Sequence, residues 1–376
     1  MPSFSTLVHA FAKMSSTTLP PVPHWVPAPA TKADLDYADL PIIDFAKLAS
    51  PGGTTMLAQK VHDAMTTSGF FYVVNHGHTK AETDRMLDIG DAAFTQVSDQ
   101  EKKAYEGNAM ETGTFQGYKL RQYWHIDAGV RDQIEQYSIN RDVTKRQHPQ
   151  ALRPFLPEIT EFARFCHLKI LHPVLRLLAT CLELPEETFV NQFQFDAEGD
   201  TWFRTMKYYP RSVEEEEKTK NVWLKGHADY TGISMLWSQP VAALQVMSPD
   251  GKWRWVKHID NAVIINAGEA MAFLSGGYYK ATIHRVVQPP EDQRGYPRLG
   301  LYYFATPDDD VLLVPHTESP VLQKVGVKRR FEDADAPTSE QWRKASSSRY
   351  GLVQLKKRDD GHEQDVVHGI VVKHYN

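Results

Sequence analysis

The chain has 376 residues, 41% hydrophobic and 24% charged, an ordinary balance for a globular protein of one large or two smaller domains. A formal net charge of −5 gives no electrostatic footprint for nucleic acid, and no apolar run approaches the ~18–20 residues of a membrane span. The two cysteines, Cys166 and Cys181, lie in an apolar helical pattern and read as buried free thiols of an intracellular protein.

Residues 1–36 read as a flexible arm. Met1 to Lys32 contains no acidic residue and is rich in Ser, Thr, Pro and Ala, and without arginine it makes a poor transit segment, so a cytoplasmic location is expected. A helical and mixed region over 37–200 follows: the pattern predicts a strand at 41–45, a helix at 55–68, a strand at 70–75, and helices at 80–96 and 98–105. Residues 113–140 are aromatic and irregular and end in a strand over 135–140. The apolar period of 157–182 (Ile159, Phe162, Cys166, Ile170, Val174, Leu178) predicts one core helix kinked at Pro173.

From Thr201 to about Thr306 short strands alternate with turns, which suits a double-stranded β-helix, two facing antiparallel sheets of jelly-roll type. Residues 201–310 are taken as this core. Glu214–Glu217 is expected there as a solvated loop, since four adjacent like charges resist burial. Residues 311–376 form an extension packing on the core, with a helix over 338–348 capped by Thr338; the apolar terminus 368–376 either closes the barrel mouth or adds a strand.

His227, Ala228 and Asp229 head a strand-like run that ends at Trp237, and His284 opens a second one, His-Arg-Val-Val. In a strand, His227 and Asp229 project to one side about 7 Å apart at the ~3.3 Å rise, and His284 on a neighbouring strand completes a triangle. Two imidazoles and one carboxylate on one face of an octahedron leave the opposite positions open, which suits iron(II) that must bind a cosubstrate and dioxygen. A closed structural site uses four thiolates or imidazoles instead. Two other His-x-Asp triplets occur, His125-Ile-Asp127 and His258-Ile-Asp260. Asp260-Asn261 is turn chemistry before a strand, which makes His258 a surface histidine, and His125 sits in an aromatic stretch as packing or a substrate contact.

On the strand over 297–306, Arg298, Gly300, Tyr302 and Phe304 share one face, and Leu299, Leu301 and Tyr303 the other. An arginine on an otherwise apolar face is costly unless paired. Its partner is either the carboxylate of a small acid, which suits the guanidinium fork, or a buried aspartate of the chain itself.

The segments Leu40-Pro-Ile-Ile-Asp-Phe45, Ser68-Gly-Phe-Phe-Tyr-Val-Val-Asn-His-Gly77, Lys207-Tyr-Tyr-Pro210, Gly226-His-Ala-Asp229, Leu244-Gln-Val-Met-Ser-Pro-Asp-Gly-Lys-Trp253, Asn266-Ala-Gly-Glu269 and His284-Arg-Val-Val287 occur in this order. Together they resemble the isopenicillin N synthase-like iron(II)/2-oxoglutarate-dependent oxygenases over roughly residues 40–310. The resemblance implies an α+β fold with a mainly β core, a double-stranded β-helix with flanking N-terminal helices. It implies Fe(II) on His227, Asp229 and His284, the distal carboxylate of 2-oxoglutarate on Arg298 with a hydrogen bond from Tyr209, and Phe304 in the substrate wall. Oxidation of an unactivated C–H bond, most simply hydroxylation, would consume dioxygen and release succinate and carbon dioxide. The substrate is expected to be a small, largely apolar secondary metabolite, with Tyr118, Tyr123, Trp124, Tyr137 and Trp237 as further aromatic contacts. An iron oxidase of the same fold that uses no 2-oxoglutarate, or a non-catalytic binding protein, would keep much of this pattern.

Two departures stand out. Many family members carry a serine two residues after the arginine, where this chain has Gly300, and a lost hydrogen bond to a charged group costs about 1.5–3 kcal/mol unless another donor replaces it. A serine restored at Gly300 would tighten cosubstrate binding if there is room, or weaken it if the glycine is needed for space. The stretch from His284 to Arg298 is also long, so Arg294 competes for the clamp, although Gly295 after it signals a turn.

Overall fold

Short runs rich in β-branched and aromatic residues, cut by Gly, Pro, Asn and Asp, form the strands. The computed structural model describes residues 19–347, 356–357, 363–367 and 369–374. In chain order the strands are β1 (Ile42–Asp44), β2 (Phe70–Val74), β3 (Gly117–Lys119), β4 (His125–Asp127), β5 (Val130–Arg131), β6 (Ile134–Asn140) and β7 (Trp202–Tyr208). They continue as β8 (Val222–His227), β9 (Ile233–Trp237), β10 (Leu244–Met247), β11 (Trp253–Trp255), β12 (Val263–Ala267), β13 (His284–Val287) and β14 (Arg298–Ala305), with β15 (Lys356–Lys357), β16 (Glu363–Val367) and β17 (Ile370–His374) in the tail.

Eight strands make one sheet, in the order β1-β2-β12-β9-β14-β7-β6-β3, and four make a smaller one, β11-β10-β13-β8. The fold is the expected α+β double-stranded β-helix. Strand alternation gives the large sheet two faces. Leu301 and Tyr303 of β14 join Ile265 of β12 in a core completed by helices Gly53–Thr67, Lys80–Thr95, Leu156–Phe165 and His172–Cys181. Tyr302 and Phe304 join Met206, Leu224, Leu244 and Val286 in a second cluster between the sheets. Burying each large apolar side chain is worth about 1.5–3 kcal/mol, so both faces contribute to stability. Strands from before residue 200 pair into the same sheet as β7, β9, β12 and β14, so the division expected at 200/201 orders the motifs without separating the sheets.

Several expectations change. The core helix over 157–182 is two α-helices joined by a π-helical turn, Cys166–Leu171, whose following N–H, that of His172, reaches back to the His167 carbonyl. Pro173 has no N–H and its ring crowds the carbonyl four residues earlier, and the wider turn relieves both. The wide turn carries His167, which hydrogen-bonds the Tyr303 hydroxyl (2.9 Å) and the Phe193 carbonyl (2.8 Å).

The acidic run 214–217 lies in a short helix, Val213–Lys218, because Ser212 caps it by accepting from the Glu215 N–H. Its Glu216 is buried and accepts from Trp223 Nε1 at 2.7 Å, so one of the four charges does turn inward. The arm, where described, is a strap: Trp25 N–H donates to Asp88 (2.7 Å), Lys32 N–H to Asp292 (2.7 Å), and Arg85 holds the Pro20 carbonyl (2.6 Å). Residues 1–18 of that expectation lie outside the described residues.

In the extension, helix Ser339–Ser347 starts as expected: Gln341 N–H donates to the Thr338 hydroxyl, and Gln341 Oε1 accepts from the Thr338 N–H. The terminus joins neither large sheet; β15, β16 and β17 form an antiparallel sheet of their own. No helix among the described residues is long and apolar enough to cross a membrane.

Candidate active site

β8 ends at His227, β13 begins at His284, and the antiparallel register sets these two residues directly opposite each other, ring centroids 4.5 Å apart. Asp229 is placed differently from the expectation. The strand stops at His227, so the carboxylate sits in the turn before β9 and not two positions along one strand face. Hydrogen bonds position it there: Oδ2 accepts from Ser234 Oγ (2.7 Å) and Asn266 Nδ2 (2.8 Å), and its carbonyl accepts from the Glu269 N–H (2.7 Å). The turn is tight against Gly268, where a Cβ would lie 2.8 Å from the Asp229 carbonyl and 2.1 Å from that of Thr231.

Oδ1 is thereby left 3.7 Å from His227 Nε2 and 3.8 Å from His284 Nε2. Each imidazole donates Nδ1–H to a carbonyl of its own segment, Lys225 (2.8 Å) or Thr282 (3.2 Å), which fixes the tautomer with the Nε2 lone pair facing the shared gap. Burial would raise the Asp229 carboxyl, but the imidazoles of His284 and His227 and the hydrogen bonds from Asn266 and Ser234 bring it below the usual range. The donor atoms lie within 4.8 Å of one another, the one such group of three among the described residues. One ring nitrogen from each histidine and a carboxylate oxygen fit a divalent iron ion.

This cluster opens on a cavity lined mainly by apolar and aromatic side chains with a few convergent polar groups, the make-up of small-molecule sites. Arg298 lines it from β14 and is only 2% exposed. Its guanidinium lies over the Tyr208 ring (5.2 Å), Nη1 donates to the Tyr302 hydroxyl (3.1 Å), and Nε has no partner. No carboxylate among the described residues pairs with it, whereas the rival Arg294 is exposed in a turn. Tyr209 does not stand beside it. In the β7–β14 register Arg298 pairs with Tyr208, so Tyr209 falls on the other side, where its hydroxyl donates to Glu135 (3.1 Å).

Gly300 is explained by the same neighbours. A Cβ there would lie 2.7 Å from Tyr302 Cε2, 3.0 Å from the Tyr302 hydroxyl and 2.7 Å from Gln239 Nε2. The Tyr302 ring fills the space of a side chain at 300 and brings a hydroxyl of its own to Arg298.

Sequence comparison accounts for both halves of this arrangement. Residues 40–158 match the family model described as non-haem dioxygenase in morphine synthesis N-terminal, and residues 201–307, which contain the cluster and Arg298, match the 2OG-Fe(II) oxygenase superfamily. The chain belongs to that superfamily. Its metal and cosubstrate are therefore Fe(II) and 2-oxoglutarate. The oxygenase is 27% identical to gibberellin 20 oxidase 5 of Arabidopsis thaliana over 310 residues (78% of this chain, 74% of the relative). It is 27% identical over 305 residues to jasmonate-induced oxygenase 3 of the same plant (77% and 78%). Among solved structures it is similar to a full-length Neurospora crassa protein in complex with alpha-KG (TM-score 0.72, 22% identity, 84% of this chain and 99% of that one). The rice dioxygenase for auxin oxidation is similar too (TM-score 0.62, 19% identity, 81% and 94%). These structural likenesses concern the fold.

Of the aromatic residues singled out in the oxygenase, Phe304 and Trp124 line the cavity. Tyr123, Tyr137 and Trp237 do not. Trp237 points to the helical core and packs on Phe162 (4.7 Å), since on β9 it is the preceding Leu236 that faces the cavity. Tyr137 packs against Tyr118 (ring centroids 4.3 Å apart, tilted) in that core and meets His148 Nδ1 through its hydroxyl (2.7 Å). Tyr123 is half-buried beside the cavity cluster and lies outside the lining. His258 is partly buried, its Nδ1 meeting Ser238 Oγ at 2.9 Å, and that burial lowers its pKa. Tyr302, Ser234 and Asn266 were missed as site residues, although Tyr302 shares the Arg298 face by strand period and Asn266 opens one of the family motifs.

Proposed function

We propose that this oxygenase oxidises a small organic molecule held in the cavity, most simply by hydroxylation, with 2-oxoglutarate converted to succinate and carbon dioxide. His227, Asp229 and His284 hold the iron, and Arg298 binds the distal carboxylate of the cosubstrate. The observation that carries this reading is Arg298: a guanidinium 2% exposed, without a carboxylate of its own, opening on the same cavity as the three metal ligands. A buried unpaired cation is unfavourable, and a dicarboxylate cosubstrate supplies the missing charge.

The bound iron supplies the oxidising power, and the chain supplies position and exclusion of water. Ser234 and Asn266 hold one oxygen of Asp229 so that the other faces the gap between the imidazoles. The carbonyls of Lys225 and Thr282 keep both imidazoles in the ligating tautomer. Tyr302 accepts from Arg298, which leaves its own O–H to donate toward the same carboxylate. The apolar walls, including Leu224, Leu244 and Val286, keep water from the reacting bond.

The test is iron-dependent formation of succinate from 2-oxoglutarate by the purified full-length chain, beside the binding of 2-oxoglutarate measured by calorimetry. Wild-type protein should bind one iron and produce succinate; Asp229→Ala should do neither while unfolding at a near-native temperature. Unchanged iron content and succinate yield in that variant would remove the assignment.

A further inference from the structure

The cavity holds a second arginine that the iron and 2-oxoglutarate leave unexplained. On β7, Trp202, Arg204, Met206 and Tyr208 all face the cavity. Arg204 is 6% exposed, and its Nε donates to Ser138 Oγ at 2.8 Å, while Nη2 has no hydrogen-bond partner. Several other buried cations of the described residues have carboxylates: Lys119 has Asp132, Lys102 has Glu135, Lys207 has Asp91, and Arg343 has Asp309. Arg204 has none. Its guanidinium lies instead among ring faces, 4.9 Å from the centroid of Phe304, 5.2 Å from Phe115 and 5.4 Å from Trp202. Rings stabilise a cation only in part, and a desolvated guanidinium calls for an anion.

The surroundings are flat and polar at their edges. Trp202 stacks on Phe304 (5.2 Å) and on Tyr230 (6.1 Å), and the buried Trp202 Nε1 and the Tyr230 hydroxyl both lack a partner. The position is separate from the cosubstrate clamp. In the β7–β14 register Arg204 stands opposite Tyr302, four residues along the strand from Arg298, or about 13 Å at the ~3.3 Å rise. It lies toward the metal end, since its neighbour across the sheet is followed on β14 by Phe304, which pairs with Ser234, the residue that holds Asp229.

We propose that the substrate is a small planar carboxylic acid, its carboxylate bound by Arg204 and its flat body laid between Trp202, Phe304, Phe115 and Tyr230. This rests on the oxygenase reading of the same cavity and adds the substrate class to it. The guanidinium fork suits a carboxylate, aromatic walls suit a ring or conjugated chain, and the two arginines assign one acid to each.

The experiment uses matched probes: phenylacetate, trans-cinnamate and 2-naphthoate against their primary amides. Binding is read by quenching of tryptophan fluorescence in the full-length protein loaded with zinc and 2-oxoglutarate, since Trp124 and Trp202 line the cavity. The wild type should bind at least one acid about tenfold or more tightly than its amide, the worth of one charge-assisted hydrogen bond. Arg204→Gln should erase that preference, and Arg204→Lys, which keeps the charge, should retain part of it. Amides bound as tightly as acids throughout the wild-type panel, or an undiminished preference in Arg204→Gln, overturn the inference. The wild-type comparison decides even if Arg204→Gln does not fold. Calorimetry of 2-oxoglutarate on Arg298→Ala is run beside it: full affinity there refutes the cosubstrate reading itself, whereas lost affinity together with absent acid preference refutes the substrate class alone.

Discussion

Gly300→Ser introduces the serine that the family resemblance leads one to expect at this position, and in this chain it should weaken the grip on 2-oxoglutarate. The new Cβ would stand 2.7 Å from Tyr302 Cε2 and 2.7 Å from Gln239 Nε2, closer than real Cβ atoms approach, before its hydroxyl is counted. The Tyr302 ring is held on its other side by stacking on Phe304, with centroids 5.8 Å apart and planes 6° from parallel, so it has little room to retreat. Overpacking of this kind costs about 1–3 kcal/mol. Moving the ring also withdraws its hydroxyl from Arg298, and a hydrogen bond to a charged group is worth about 1.5–3 kcal/mol. The expected outcome is a Kd for 2-oxoglutarate raised roughly ten- to a hundredfold, read by calorimetry on zinc-loaded protein, with a lower unfolding temperature. Tyr302→Phe, which removes the hydroxyl and keeps the ring, should weaken binding without that loss of stability. Removing the ring as well, in Gly300→Ser combined with Tyr302→Ala, should recover part of the affinity that Gly300→Ser loses. Tighter binding by Gly300→Ser alone would show that the glycine is not there for space and would refute the reasoning.

Asp229→Ala should remove iron binding and turnover, whereas Asp260→Ala, a change in the turn before β12, should leave iron content within error of wild type; metal analysis of the two variants checks this. Arg298→Ala should raise the Kd for 2-oxoglutarate by about tenfold or more, and Arg294→Ala should leave it unaltered, because residue 294 is exposed in a turn. His167 supplies a pH prediction: burial pushes its pKa down to about 3, against ~6.5 in an unfolded chain. Between those values the unfolded state binds the proton and the native state does not, so the stabilisation by neutral His167 is full above about pH 6.5 and is lost as pH falls toward 3. Urea titrations from pH 7 to 4 should show a shallower loss of stability for His167→Gln than for the wild type, by up to roughly one proton in slope; equal slopes would remove His167 from the account.

The three candidate metal ligands could be picked out in the sequence because their motifs carry them, but the way Asp229 reaches the site could not. Its position depends on Ser234 and Asn266, on two other strands, and on a backbone turn that only Gly268 admits. Tandem tyrosines defeated the pattern for a simpler reason: a one-residue slip in register reverses every side chain of a strand, and the pairing of Arg298 with Tyr208 decides between the two. The strap over 19–36 looked unattached because its partners, Asp88 and Asp292, are acids distant in the chain. Glu216 was hidden by its neighbours' charge, since neither the Ser212 cap nor the Trp223 indole that receives it shows in composition.

The alternation on β7 and β14 that places both arginines also separates two kinds of consequence. Inward residues, Arg204 and Tyr208 on one strand and Arg298 and Tyr302 on the other, face the cavity and bear on ligands. Outward residues such as Phe203, Leu301 and Tyr303 belong to the helix-backed core. Leu301→Ala should therefore destabilise by about 2–5 kcal/mol while leaving the order of acid and amide affinities intact, and Arg204→Gln should do the reverse. The division follows from the two faces packing into separate clusters, and it would fail if Leu301→Ala changed ligand preference as strongly as stability.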